Sequence, residues 1–247
     1  MLQSIAQDIL SYTRIFFNKN NELKSIKWMN RKALPNEAYC PTPIEHIANI
    51  ITHGIWVMPS IMATMHMLDR AHTTPQYVSA LVYGATLIFL FSVSTSFHCV
   101  FYCNKHRNLK DVLHRCDRGM IYIFIAGSYF PWLTIEQLPN EGWASSMNWI
   151  VWVMAFLGIV YQQTFHEKYK TLETLFYLFM GIGPSLTILT EHLISGITEL
   201  SIGGLLYVLG VIFFKCDGVF PFAHAVWHLF VVMAAAVHYY AVLKYLY

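Results

Sequence analysis

Seven long apolar runs divide this chain of 247 residues, at roughly 47–68, 78–102, 118–135, 147–165, 172–190, 201–214 and 222–246. As a helix, a run of about 20 residues matches a bilayer core of roughly 30 Å. Within hydrocarbon every backbone N–H and C=O must be satisfied by the protein itself, which leaves helices or closed barrels. Barrel strands alternate polar and apolar residues over about ten positions; these runs are continuous, so helices are expected. Composition agrees, with 56% hydrophobic and 12% charged residues, against roughly 25% charged in soluble domains. The expected architecture is an all-α membrane protein, a seven-transmembrane helix bundle over residues 46–247 behind a cytosolic leader, 1–45. A cleavable signal peptide is not expected, because the leader is polar and charged. The sixth run is the shortest, and Gly196, Ile197 and Leu200 can extend it. In the leader, Ile5, Ile9, Phe16 and Phe17 recur at roughly helical spacing beside Arg14 and Lys19. That pattern suits an interfacial helix and a flexible leader equally.

Orientation follows from the basic residues. Of 16 lysines and arginines, 14 fall in the leader and in the second, fourth and sixth connections; Arg70 and Lys244 lie opposite. Cytosolic loops collect such residues, so the N-terminus is expected in the cytosol and the C-terminus in a lumen or outside the cell. A net charge of +2 gives no reason to expect nucleic acid. Cys40, Cys103, Cys116 and Cys216 fall on the cytosolic side and Cys99 near it, where reducing conditions disfavour disulfides; juxtamembrane thiols are also acylation targets.

His224 and His228 stand four residues apart within the last run. That spacing puts both imidazoles on one helix face, and polar groups within a membrane are costly and usually functional. The charge-derived topology brings Ser94, His98, Asp117, His224 and His228 to one depth near the cytosolic face. Three imidazoles with an open fourth position fit a catalytic zinc site, although copper, iron and nickel accept the same donors. Zinc can lower the pKa of bound water to about 7, and Asp117 is placed to take its proton as general base. Ser94, one turn before His98, can orient the water or a ligand. Glu45, Asn49 and His53, four residues apart on the first run, line or brace the same pocket.

Competing readings exist for each group. A membrane histidine can simply bond a neighbouring helix, and a purely structural ion would use the same ligands. His238 lies more than two turns beyond His228, too far along the axis to share an ion, and reads as packing or interfacial. His46, His66, His72, His106, His114, His166 and His192 fall at helix ends or connections and read as solvated. Asp117-Arg118 opens the third run, whereas the acidic-Arg motif of G-protein-coupled receptors closes a third helix. Lys244 is misplaced for a retinal Schiff base, and no repeated charged rings suggest a pore.

The motifs Glu45-x-x-x-Asn49-x-x-Thr52-His53-Gly54, Ser94-x-x-x-His98, Cys116-Asp117-Arg118 and His224-x-x-x-His228 together resemble the progestin and adipoQ receptor family. That family includes the adiponectin receptors and bacterial hemolysin-III-like proteins, and the glutamate-to-asparagine spacing here is the hemolysin-III-like one. Phe130-Pro131-Trp132-Leu133, His166-Glu167-Lys168-Tyr169-Lys170 and the segment 213–228 point to one branch within it. The resemblance implies seven helices inverted relative to G-protein-coupled receptors. It also implies zinc held by His98, His224 and His228, with Asp117 near bound water. Related alkaline ceramidases share that arrangement and hydrolyse ceramide-type amides. The branch implies Golgi, late-endosomal or lysosomal membranes and a link to signalling, with the plasma membrane as the other location.

Two functions are therefore expected in order. The first is a zinc-dependent hydrolase of a lipid amide or ester, ceramide-like, with signalling partners at the cytosolic face. The second is a receptor or scaffold in which zinc only fastens helices.

Overall fold

A computed structural model describes residues 27–103, 106–136, 143–191 and 195–247. The helix considered for residues 5–19 and the histidine at 192 lie outside these. Among the described residues there are eight helices and no strands: α1 Pro43–Gly54, α2 Val57–Arg70, α3 Thr74–Cys103, α4 Arg107–Ile135, α5 Trp143–Thr164, α6 Lys170–Glu191, α7 Ile197–Phe214 and α8 Ala223–Leu246.

α1 starts where its sequence dictates. Thr42 is the N-cap, Pro43 follows at the first helical position and Glu45 closes a capping box with the Thr42 N–H at 2.8 Å. Proline is tolerated there because that N–H has no intrahelical partner. α1 and α2 form one apolar rod, Pro43–Arg70, interrupted at Ile55 and Trp56. Pro59 is the cause: in a continuous helix its ring would meet the carbonyl four residues back, at Ile55.

Five spans are long and apolar enough to cross a bilayer among the described residues: Pro43–Arg70, α3, Ser145–Thr164, α7 and α8. The other two expected crossings lie in α4 and α6. α4 begins at Arg107, eleven residues before the apolar run at 118, because its first turns carry Arg107, Lys110, Asp111 and Arg115. Asp117 and Arg118 accordingly sit well inside that helix instead of opening it.

α4 is the central element. It packs on α3 and α5 and also touches α6 and α8, while α8 packs on α7 and α1; α6 and α7 meet only sparsely. Lipid supplies little hydrophobic drive for helix association, so close packing matters instead. A Cβ on Gly158 would lie 2.3 Å from the Tyr122 ring, which is how α5 reaches α4. Phe156, Phe179 and Leu205 face outward, as lipid-facing residues do.

An ionic cluster locks the basic end of the bundle. Arg118 of α4 is buried; its Nε and Nη2 donate to the Glu173 carboxylate of α6 at 3.1 and 2.8 Å, and its Nη1 pairs with Glu167. Tyr177 donates to Glu173 at 2.7 Å, and Lys170 bridges to Glu167 at 2.8 Å. Burial pushes the Glu167 carboxyl up, but the charges of Arg118, Lys170 and His114 outweigh it and hold the group below its ordinary value. A carboxylate depressed on folding adds stability above its unfolded pKa of roughly 4.3, and that contribution disappears as pH falls through the folded value. Thermal unfolding of the detergent-solubilised protein should therefore hold its midpoint down to about pH 5 and decline below about pH 4. Glu167→Gln should lower the neutral midpoint and flatten the acid decline, and an unaltered decline contradicts this role. Arg118→Ala, which strands two carboxylates, should cost roughly 3–5 kcal/mol.

Candidate metal centre

The start of α8 is anchored from outside the helix. Phe222, its N-cap, has φ 61°, and its N–H donates to Glu45 Oε1 at 3.3 Å. The other oxygen of Glu45 accepts from the Thr42 N–H at 2.8 Å and the Tyr39 hydroxyl at 2.9 Å. Burial, reinforced by Glu45, pushes the Tyr39 hydroxyl well above its usual value, so it stays a donor. Gly218, at φ 74°, allows residues 31 and 32 to cross the α7–α8 turn; a Cβ there would lie 2.5 Å from Lys32 Cα. One carboxylate thus joins the segment before α1 to the first turn of α8.

From that start His224 and His228 project toward His98 of α3. Ring centroids are 5.4 Å apart for His98 and His224, 5.3 Å for His98 and His228, and 4.7 Å for His224 and His228. One ring nitrogen from each lies within 4.8 Å of the others. His98 and His228 are buried and His224 is half-buried.

Neighbouring groups select which nitrogens face inward. His228 Nδ1 lies 3.0 Å from Thr52 Oγ1, and the Thr52 hydroxyl hydrogen is directed to the Ala48 carbonyl at 2.8 Å. The hydroxyl therefore accepts from Nδ1–H, and Nε2 keeps its lone pair. His224 Nδ1 lies 3.3 Å from Asp217 Oδ2; a carboxylate only accepts, so Nε2 is again free. Among the described residues neither nitrogen of His98 has a partner. An orphaned buried polar atom costs roughly 1–3 kcal/mol, a cost that a coordinated cation would relieve. The donor set suits a borderline divalent ion such as zinc.

The remaining site residues divide into two groups. His53 stacks on His228 with centroids 3.6 Å apart, and its Nδ1 is 2.9 Å from Ser94 Oγ. Ser94 also reaches the Asp117 carboxyl, which feels the charges of His224 and Arg118. Ser94, His98, Asp117, His224, His228 and His53 all line one cavity of about 1300 Å³. Glu45 and Asn49 do not line it: Glu45 is the anchor just described, and the Asn49 side chain is buried with no partner among the described residues. The cavity continues from the histidines between α4, α6 and α7, past Ile121, Ile125, Leu178 and Leu200. Leu175, Ile182 and Leu205 line it and are also exposed on the outer surface, so the wall between α6 and α7 is one side chain thick.

Three histidines expected in solvent are elsewhere. His46 is buried against Phe101, with centroids 4.5 Å apart, and near His98. His114 and His166 are half-buried and bonded to each other, Nδ1 to Nε2, at 3.2 Å. All five cysteines are free. Sequence reading missed Thr52 and Asp217 as supports of the histidines. Asp217 left a faint signal, a carboxylate in the short connection just before a candidate ligand.

These features define a multi-helix membrane protein with a histidine cluster lining a largely apolar cavity. The chain belongs to the haemolysin-III related family, whose match spans residues 43–239. It is 46% identical to monocyte to macrophage differentiation factor of Homo sapiens over 222 residues, 90% of this chain and 92% of that protein. It is 36% identical to hemolysin-3 of Bacillus cereus over 210 residues, covering 81% and 91% of the two chains. The corresponding homolog of Bacillus subtilis is 34% identical over 210 residues, 81% of this chain and 94% of its own. The branch indicated by the segments around Pro131, His166 and 213–228 is that of the differentiation factor.

Because Glu45 accepts from three donors on two segments, Glu45→Ala should lower stability by roughly 2–3 kcal/mol. Scanning calorimetry in detergent checks this, and a shift near zero means the Phe222 and Tyr39 contacts carry no weight.

Proposed function

We propose that this protein is a zinc-dependent lipid hydrolase of internal membranes, acting on an amide or ester such as a ceramide. In this reading the chain crosses the bilayer seven times with its N-terminus cytosolic, and the centre lies near the cytosolic face. The observation that carries it is the placement of three converging imidazoles, one of them without a partner among the described residues, on the wall of a largely apolar cavity.

His98, His224 and His228 would hold the ion, with Thr52 and Asp217 fixing the last two rings. Bound zinc supplies Lewis-acid polarisation of a carbonyl and activation of water near neutral pH. Asp117 receives the proton of the attacking water and returns it to the leaving amine or alcohol. Ser94, held between His53 and Asp117, orients that carboxyl. An acyl chain occupies the apolar length of the cavity and enters sideways between α6 and α7. The basic end supplies a surface for signalling partners, in keeping with a relative named as a differentiation factor. The branch resemblance supports Golgi, late-endosomal or lysosomal membranes.

Metal analysis paired with lipidomics on purified and expressed variants tests this reading. His224→Ala should lose bound zinc and turnover together, whereas Asp117→Ala should retain zinc and lose turnover by at least about 100-fold. Folded, zinc-loaded protein with no zinc-dependent turnover on a broad panel of lipid amides and esters sinks the hydrolase and leaves a scaffold fastened by metal.

Gly181 and Gly204 test the route. Both line the cavity, and a Cβ on either meets nothing within 4 Å. Gly204→Leu should cut kcat/KM about tenfold or more with zinc content and melting temperature unchanged. Full activity with that side chain in place rules out entry past α7.

A further inference from the structure

A second cluster of metal-ligating side chains lies outside the centre already described. His114 of α4 faces His166 and Glu167 of the α5–α6 turn, and one donor atom from each lies within 4.8 Å of the others. His114 Nδ1 and His166 Nε2 are 3.2 Å apart. Zinc–nitrogen bonds of roughly 2.0–2.1 Å at tetrahedral angles put neighbouring nitrogens roughly 3.3 Å apart, so the two rings already stand at ligand spacing. The other His114 nitrogen, Nε2, lies 3.6 Å from Glu167 Oε1; an imidazole gives one ion one nitrogen, so binding through Nδ1 requires the carboxylate to swing from Nε2 toward Nδ1. Glu167 adopts φ 63°, a conformation uncommon outside glycine, and its carboxylate meets Arg118 of α4.

We propose that His114, His166 and Glu167 form a second site for a borderline divalent cation such as Zn²⁺, independent of the His98, His224 and His228 centre. Two imidazoles and a carboxylate are a recurrent three-ligand zinc set, with the fourth position left to water. The imidazole contact replaced by the ion is a single N–H···N bond. When His166 binds through Nε2 its Nδ1 carries the proton, and Gln162, now 2.8 Å away through Nε2, accepts it after rotating its amide. Glu167 is shared with Arg118 and Lys170, which lowers its value as a ligand and makes this the weaker of the two sites. Occupancy draws the carboxylate from Arg118, the neighbour of Asp117. Phe97, which stacks on His114 at 4.8 Å, is adjacent in sequence to His98.

The experiment is equilibrium Zn²⁺ titration of full-length protein in nanodiscs against a metal buffer, with Co²⁺ absorption as a second readout. Wild type should take up two equivalents, one tight and one weaker. His166→Ala and His114→Gln should each weaken the second step by roughly 100-fold or more and leave the first. His228→Ala should abolish the first and leave the second. Glu167→Gln should weaken the second step while both rings remain, which covers the case in which a histidine variant fails to fold. A wild type with no Zn²⁺ step that His166→Ala and Glu167→Gln weaken overturns the proposal. Loss of the tight step alone would count against the proposed hydrolase centre and not against this site.

Discussion

Polar atoms buried in this bundle have little water to fall back on, so the place where each finds a partner dictates the structure around it. Glu45 shows the constraint at its strongest. Its two oxygens collect donors from Tyr39, Thr42 and Phe222, and in doing so fix where α8 begins relative to α1. The rotation of α8 about its axis, and hence the direction of His224 and His228, is inherited from that arrangement. The same logic explains Arg118, which could not be buried without Glu173 and Glu167 around it and which therefore draws α6 and the α5–α6 turn onto α4.

Much of this was legible in the letters, for a physical reason. Long apolar runs are averages over many residues, and averages survive ignorance of the contacts. The His224 and His228 pair was legible because four residues make one turn. The polar beginning of α4 was not, because a hydropathy window sees only the part of a helix that is apolar, and Arg107 to Asp117 are not. The break at Ile55 was readable in principle from Pro59, but it falls within a run whose hydropathy never drops. Thr52 was invisible as a site residue because its task is to orient another residue's nitrogen across a contact between distant segments, whereas Asp217, seven residues before His224, left only a faint trace. His114 and His166 looked solvated from their positions at helix ends; only the folding of α4 against the α5–α6 turn makes them neighbours.

The cavity joins the two levels of description. Its apolar length results from α6 and α7 meeting sparsely beside a well-packed α4, and its polar end results from the histidines that the Glu45 anchor aims. Leu175, Ile182 and Leu205 face both inward and outward, so the barrier between the interior and the surrounding hydrocarbon is thin there.

That thin wall changes what concentration means for an occupant. A molecule arriving through it never dissolves in water, so occupancy follows its mole fraction in the leaflet and long chains carry no penalty for insolubility. Every ordinary phospholipid is then a competitor at high local abundance, and selectivity has to come from the few polar groups at the end of the passage.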